Sequence, residues 1–158
     1  MGVIRRARDG DAQDLFGLVT LCFAEYPGCF TDPHDDMADL LRPAHHAAEN
    51  GVDFFVIEDD GGRVCACIAM DNPAPQTIEI HRLYVRPDCR GRGLARMLVD
   101  HVEDRARAAG ATRISLWSDT RFLNAHALYE KRGYMRAPGT RDLGDVSGSV
   151  EYFYEKAL

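Results

Sequence analysis

The sequence predicts an α/β fold on a mixed sheet, and three stretches carry that reading. "DFFVIED" (53–59) and "RVCACIAMD" (63–71) are apolar, strand-like runs around "DGG", a turn that closes an antiparallel hairpin. "QTIEIHRLYV" (76–85), a helix-forming run over 93–110 and "TRISLWS" (112–118) read as strand, helix, strand, which demands a parallel crossover. "YMRA" (134–137) and "VEYFYEKA" (150–157) read as a closing antiparallel pair around a turn-rich segment, 138–149.

The remaining elements follow in order. "VIRRA" (3–7) is a short first strand. Residues 9–26 form a helix, with Leu15, Leu18, Val19, Cys22 and Phe23 at helical spacing and Asp9 or Asp11 as its cap. "PGCFTDP" breaks it. A second helical stretch over 34–51 is interrupted at Pro43 and stopped by Asn50 and Gly51. "NPAP" (72–75) punctuates the strands. Leu94, Leu98, His101 and Val102 share one side of the 93–110 helix, which Gly110 ends, and 121–133 is a last helix with its own glycine stop. No linker or repeat intervenes, so one domain over 1–158 is expected.

Bulk properties narrow the function. A chain of 158 residues buries roughly 68–70% of its unfolded surface, enough for a core without disulfides or metal. No apolar run approaches the ~20 residues of a membrane span, and the first residues lack a signal-peptide core, so a cytoplasmic protein is expected. The five cysteines form no CxxC pair, and Cys65 and Cys67, two apart on a strand, are expected on one face. The histidines include no HExxH and no Cys/His cluster, so no metal is expected. Residues 1–62 carry four arginines against thirteen carboxylates, and the overall charge of −6 argues against nucleic acid.

Chemistry concentrates in "RGRGLARML" (90–98), where glycines separate a strand from a helix and leave backbone N–H groups bare for a phosphate. A dinucleotide fingerprint fails because Arg96 stands where the third glycine belongs, and no Gly-Lys-Ser/Thr follows for a Walker loop. Arg90-x-x-Gly93-x-Ala95 instead resembles the Arg/Gln-x-x-Gly-x-Gly/Ala loop that holds the pyrophosphate of coenzyme A. "AHALYEKRGY" (125–134) is similar to the late helix of the same family, the GNAT superfamily of N-acetyltransferases, and the order of elements matches along the whole chain.

The resemblance implies a single GNAT-like domain: a mixed, mostly antiparallel sheet of about seven strands with a splayed parallel central pair, and four helices. It implies acetyl-CoA as co-substrate. The main chain of Leu83, Tyr84 and Val85 would bond the pantetheine arm. Arg90, Gly91, Arg92, Gly93, Leu94, Ala95 and Arg96 would hold the pyrophosphate, and Ala125 would let the cofactor approach closely. Many members carry asparagine at the place of Phe122, so that cofactor-contacting position carries over without the asparagine's role; Asn124 is expected to point elsewhere. Tyr129 matches the family's acid.

For the base, the resemblance implies Glu79, eleven residues before Arg90 at the place of the catalytic glutamate in the family's histone-acetylating branch, with His81 as its rival and a water relay as a further alternative. Strand alternation, barring a bulge, puts Glu79, His81, Leu83 and Val85 on one face, and an ion pair with Arg82 or another arginine is the alternative role for Glu79. Acceptor contacts are expected from Tyr26, Phe30, Trp117, Asp119 and Arg121, with Phe23, His34, Arg141 and Tyr152 in the same regions. The acceptor is a primary amine of a small molecule or peptide. The acidic front half favours a cationic one, while Arg121 and Arg141 would suit one with a carboxylate. A non-catalytic acyl-CoA module and a transferase of longer acyl groups are the alternatives, and homodimers are common in the family.

Overall fold

The first hairpin turns at "DGG" as expected, and Asp59 just before it fastens the turn: its carboxylate accepts the N–H groups of Gly61 and Arg63, at 2.9 and 3.0 Å. In the computed structural model, which describes residues 2–32 and 37–158, this turn joins β2 (Asp53–Glu58) to β3 (Val64–Ala74). The sheet also contains β1 (Ile4–Arg6), β4 (Thr77–Val85), β5 (Arg113–Asp119), β6 (Met135–Arg136), β7 (Arg141–Asp142) and β8 (Val150–Ala157). The spatial order is β1-β2-β3-β4-β5-β8-β6, with β7 also on β8. Among the described residues only β4 and β5 pair in parallel, and every other pairing is antiparallel. The eighth strand beyond the expected seven is the two-residue β7.

Five helices cover the sheet: α1 (Ala12–Phe23), α2 (Ala38–Leu41), α3 (Pro43–Asn50), α4 (Leu94–Ala108) and α5 (Leu123–Lys131). Leu94, Leu98, Val99, Val102 and Ala106 of α4 join Phe55, Ile57, Ile78, Ile80 and Tyr129 in one core. Leu15, Leu18, Val19 and Cys22 of α1 join Phe54, Val56, Cys67 and Ala69 in the other. Alternate β2 residues thus feed opposite cores, as strand periodicity requires. Among the described residues, no helix is long and apolar enough to cross a membrane.

Four expectations are corrected by geometry. Cys65 and Cys67 lie in different cores, because Ile57 pairs with Ala66 while Glu58 pairs with Val64, and the extra residue reverses the alternation. β3 runs through "NPA" to Ala74, with Pro73 accommodated at a second irregularity between Asp71 and Ala74. Neither Asp9 nor Asp11 caps α1 through its side chain. Asp9 instead accepts the N–H groups of Ala44 and His45, at 2.9 and 3.1 Å, and so caps α3 from 35 residues away.

The fourth correction shapes the cleft. Cys67 pairs with Tyr84 but Ala69 pairs with His81, so β4 carries one residue too many at 82–83. Arg82 absorbs it with φ at 54°, an unusual conformation outside glycine. Side chains after the bulge change face. Leu83 and Val85 join Ile78 and Ile80 on the α4 side, while Tyr84 turns to the α1 side. Glu79 and His81 therefore do not share a face with Leu83 and Val85.

Carboxylates hold several joints. Burial would raise Asp11, but Arg5 (2.8 and 2.9 Å) and the Arg8 N–H (2.7 Å) outweigh it and hold it below the usual range. Asp14 is held low chiefly by Arg63, despite some burial. Folded values below the unfolded ~3.9 mean that this stabilisation is complete at neutral pH and is lost as pH falls through the folded values. The urea midpoint is expected to stay flat from pH 7 to about 5 and to drop below about 4, with a shallower drop in Asp11→Asn.

Candidate active site

The parallel pairing of β4 with β5 runs from Thr77–Arg113 to Ile80–Leu116 and stops where the bulge begins. Past that point the strands part, and two cavities fill the gap, about 490 and 350 Å³. Leu83, Tyr84, Phe122 and Ala125 line both, so they form one cleft with two ends.

The smaller end lies over the glycine loop. Gly91 and Gly93 both have φ at 77°, a left-handed conformation that favours glycine, and an added Cβ at Gly91 would project into open space. α4's first intrahelical bond runs from Met97 N–H to the Gly93 carbonyl at 3.0 Å. The N–H groups of Leu94, Ala95 and Arg96 therefore have no acceptor within the helix, and no acidic residue lies in its first turn. These donors, with Arg96 on the wall, fit an anionic diphosphate group.

Most residues expected on the cofactor line this end: Leu83, Tyr84, Val85, Arg90, Gly91, Gly93, Leu94, Ala95, Arg96, Phe122 and Ala125. Arg92 lies on the loop but not on the wall. Arg90 faces inward, but its guanidinium is tied to Glu25 at 2.6 and 2.7 Å and to the Val85 carbonyl at 3.1 Å, which makes it a strut between the loop and α1. Asn124 lines the cleft, against expectation, because α5 starts at Leu123 and presents its first turn to the opening.

The larger end holds the candidate acid, Tyr129, and one candidate base, His81, while Glu79 lies beside His81 but not on the wall. Tyr129 is 5% exposed, and burial pushes its phenol well above the usual value, so it stays protonated. Its hydroxyl has no hydrogen-bond partner among the described residues. His81 Nε2 lies 3.0 Å from Asp71 Oδ1, and Asp71 pairs across the strands with Glu79. One donor atom from each of the three lies within 4.8 Å of the others. Burial raises the Glu79 carboxyl, Asp71 and Glu151 reinforce this, and His81 and Arg141 oppose it. The alternative pairing of Glu79 with Arg82 does not form: Arg82 grips Asp39 at 2.8 and 3.0 Å. Asp71 was missed because its closeness to His81 comes from the hairpin register, not from any sequence motif.

The expected acceptor residues divide. Trp117 and Asp119 line the larger end. Asp119 is held low because two Arg121 bonds, at 2.7 and 2.9 Å, and the Arg121 N–H outweigh its burial. Arg121 thereby faces the 145–149 loop and lines neither cavity. Phe30, 57% exposed, lies outside both cavities, and its N–H and carbonyl bond the Ser147 hydroxyl. Tyr26 lines the smaller end and packs on Phe122 at 4.9 Å. Phe23 packs on Tyr84 and Phe122. Arg141 lies over the Trp117 ring at 4.0 Å, Tyr152 lies under Arg136, and His34 lies outside the described residues.

With this geometry established, comparison identifies the family. A sequence profile of the acetyltransferase (GNAT) family matches residues 15–134. The chain belongs to the GNAT family. It is 34% identical over 129 residues to an IAA acetyltransferase of Azospirillum brasilense, covering 81% of this chain and 82% of that protein. It is 38% identical over 81 residues to a mycothiol acetyltransferase of Beutenbergia cavernae, covering 51% of this chain but only 27% of that protein. Among solved structures, a PaiA N-acetyltransferase from Thermoplasma acidophilum in complex with coenzyme A has a TM-score of 0.77 at 17% identity, covering 99% of this chain and 98% of that one. The GNAT fold, with its mixed sheet and one parallel pair, is thereby established.

Gly91→Ala places a side chain where φ is 77°. The left-handed region costs other residues roughly 1–2 kcal/mol, and an exposed loop relieves that strain when nothing is bound. CoA binding is therefore expected to weaken about five- to thirty-fold by calorimetry with thermal stability nearly unchanged. Unchanged affinity would show that this loop geometry is not used.

Proposed function

We propose that the protein moves the acetyl group of acetyl-CoA directly to a primary amine of a small molecule or peptide. The observation that carries this reading is the continuous cleft, with bare helix N–H groups at one end and an unpartnered, protonated Tyr129 hydroxyl at the other. When bound, acetyl-CoA supplies an activated thioester carbonyl. The N–H groups of Leu94, Ala95 and Arg96 hold the diphosphate, and the β4 main chain at Leu83–Val85 aligns the pantetheine arm and donates to the developing oxyanion.

His81, oriented by Asp71, or the adjacent Glu79, directly or through water, takes the proton that frees the acceptor's amine lone pair. Tyr129 donates its hydroxyl proton to the leaving thiolate. Burial keeps that proton in place across the working pH range. All five cysteines are buried free thiols, which supports the reading of a reducing, cytoplasmic setting.

A mass-spectrometric screen of acetyl-CoA with polyamines, amino acids, aminoglycosides and N-terminal peptides tests the reaction. Tyr129→Phe is expected to lower kcat by about 10²–10⁴ while leaving acetyl-CoA affinity intact. Acetyl-CoA bound with no amine product in the wild type would favour a non-catalytic acyl-CoA module, and product from longer acyl donors alone would identify a different transferase.

The bases predict a pH profile. Rate should rise with pH as the base sheds its proton. Glu79→Gln and His81→Gln are to be compared by kcat/KM from pH 5 to 9. The variant that loses the acidic limb identifies the base, and retention of that limb in both assigns the step to water.

A further inference from the structure

The charges on the larger cavity are nearly all spoken for, and what is left over has one sign. Its walls carry the carboxylates of Asp39, Asp71, Asp119 and Glu151 and the guanidiniums of Arg82 and Arg141. Arg82 is bound to Asp39 at 2.8 Å. Asp119 is bound to Arg121 at 2.7 Å. Arg141 places both Nε and Nη2 on the same Glu151 oxygen, at 2.8 and 2.7 Å, and its guanidinium covers Trp117. Each guanidinium therefore already has its carboxylate. Asp71 meets only the His81 ring, and Glu79, off the cavity wall but within 4.8 Å of both, adds a second carboxylate with no arginine bonded to it.

A carboxylate brought into this cavity would find no uncommitted guanidinium on the described walls, where His46 and His81 are the remaining basic side chains, and would face Asp71 with Glu79 close behind it. Removing a carboxylate from water without a partner is costly, and like charge adds to the cost. A protonated amine gains from the same two groups. The 5%-exposed Tyr129, whose hydroxyl has no partner, lines the same space, so the ammonium and the proton donor address one volume. Apart from His46 and Ser118, the rest of the wall, including Phe54, Ala69, Ile80 and Phe122, is largely apolar and suits an uncharged body.

We infer that the acceptor is an organic amine bearing no carboxylate next to the reacting nitrogen, recognised through Asp71 and the adjacent Glu79. The inference rests on the reading of this cleft as an acetyl-acceptor site. It excludes free α-amino acids as good substrates, although Arg121 and Arg141 invite them in the sequence. It also assigns Asp71 as the residue that sets this preference.

Matched pairs that differ only in the carboxylate provide the test: tyramine against tyrosine, tryptamine against tryptophan, cadaverine against lysine. Each is titrated calorimetrically into the CoA-loaded protein and assayed for acetylation. Each amine is expected to bind and react at least tenfold better than its parent amino acid, with the ratio shrinking in high salt. Asp71→Asn is expected to narrow that ratio, mainly through KM for the amine. Equal or better use of the amino acids, binding of neither member of any pair, or an unchanged ratio in Asp71→Asn would overturn the inference. Preferential binding of amines without transfer would uphold the recognition and overturn the proposed reaction instead.

Discussion

One extra residue in β4 governs the cleft. If β4 kept its alternation past His81, Leu83 and Val85 would face the candidate bases, and Tyr84 would be buried under α4. The bulge at Arg82 reverses this. It returns Leu83 and Val85 to the α4 core and turns Tyr84 toward Phe23, and beyond it β4 loses its pairing with β5. A left-handed arginine at such a place is strained, and strain persists only where the surroundings over-determine it. The bidentate grip of Arg82 on Asp39 supplies that constraint from α2.

The two ends of the cleft use opposite electrostatics. The smaller end offers helix N–H groups and Arg96, a setting for anions. The larger end pairs its arginines internally and leaves carboxylates beside a histidine, a setting for cations. Phe122 and Ala125, with Leu83 and Tyr84, form the neutral waist. Groups of opposite charge are thus accommodated at opposite ends of one cleft. The salt bridge from Arg90 to Glu25 fastens the anion end to the turn that follows α1, whose residues fill the core beneath the waist.

The sequence disclosed the elements whose signals are local. The Asp59 turn, the crossover through α4, the glycine loop and the tyrosine of "LYEK" follow from a few neighbouring residues and a period. What it concealed depends on register and on pairing across long separations. Bulges at Cys65 and Arg82 have no sequence mark, because either residue suits a regular strand. The Asp71–His81 contact arises only when β3 and β4 align. Arg121 reads as a free cation in isolation, and only the return of the 145–149 loop and its own Asp119 show it committed. Phe30 and Tyr26 lie within five residues of one another, yet the chain turns between them and sends them to different surroundings.

The remote cap on α3 bears on how the molecule assembles. An eight-residue helix beginning at a proline is too short to persist alone in water, and its first N–H groups are satisfied only by Asp9, on the far side of α1. α3 therefore cannot complete its N-terminus until the segment after β1 has docked, which makes it a late element of folding. It is also an early one to open in native-state hydrogen exchange. His46 and Ala47 of that helix, with Val52 just beyond it, form part of the larger cavity. One wall of the larger cavity thus depends on a helix capped by a segment distant in sequence, while the glycine loop stands on α4, rooted in the main core.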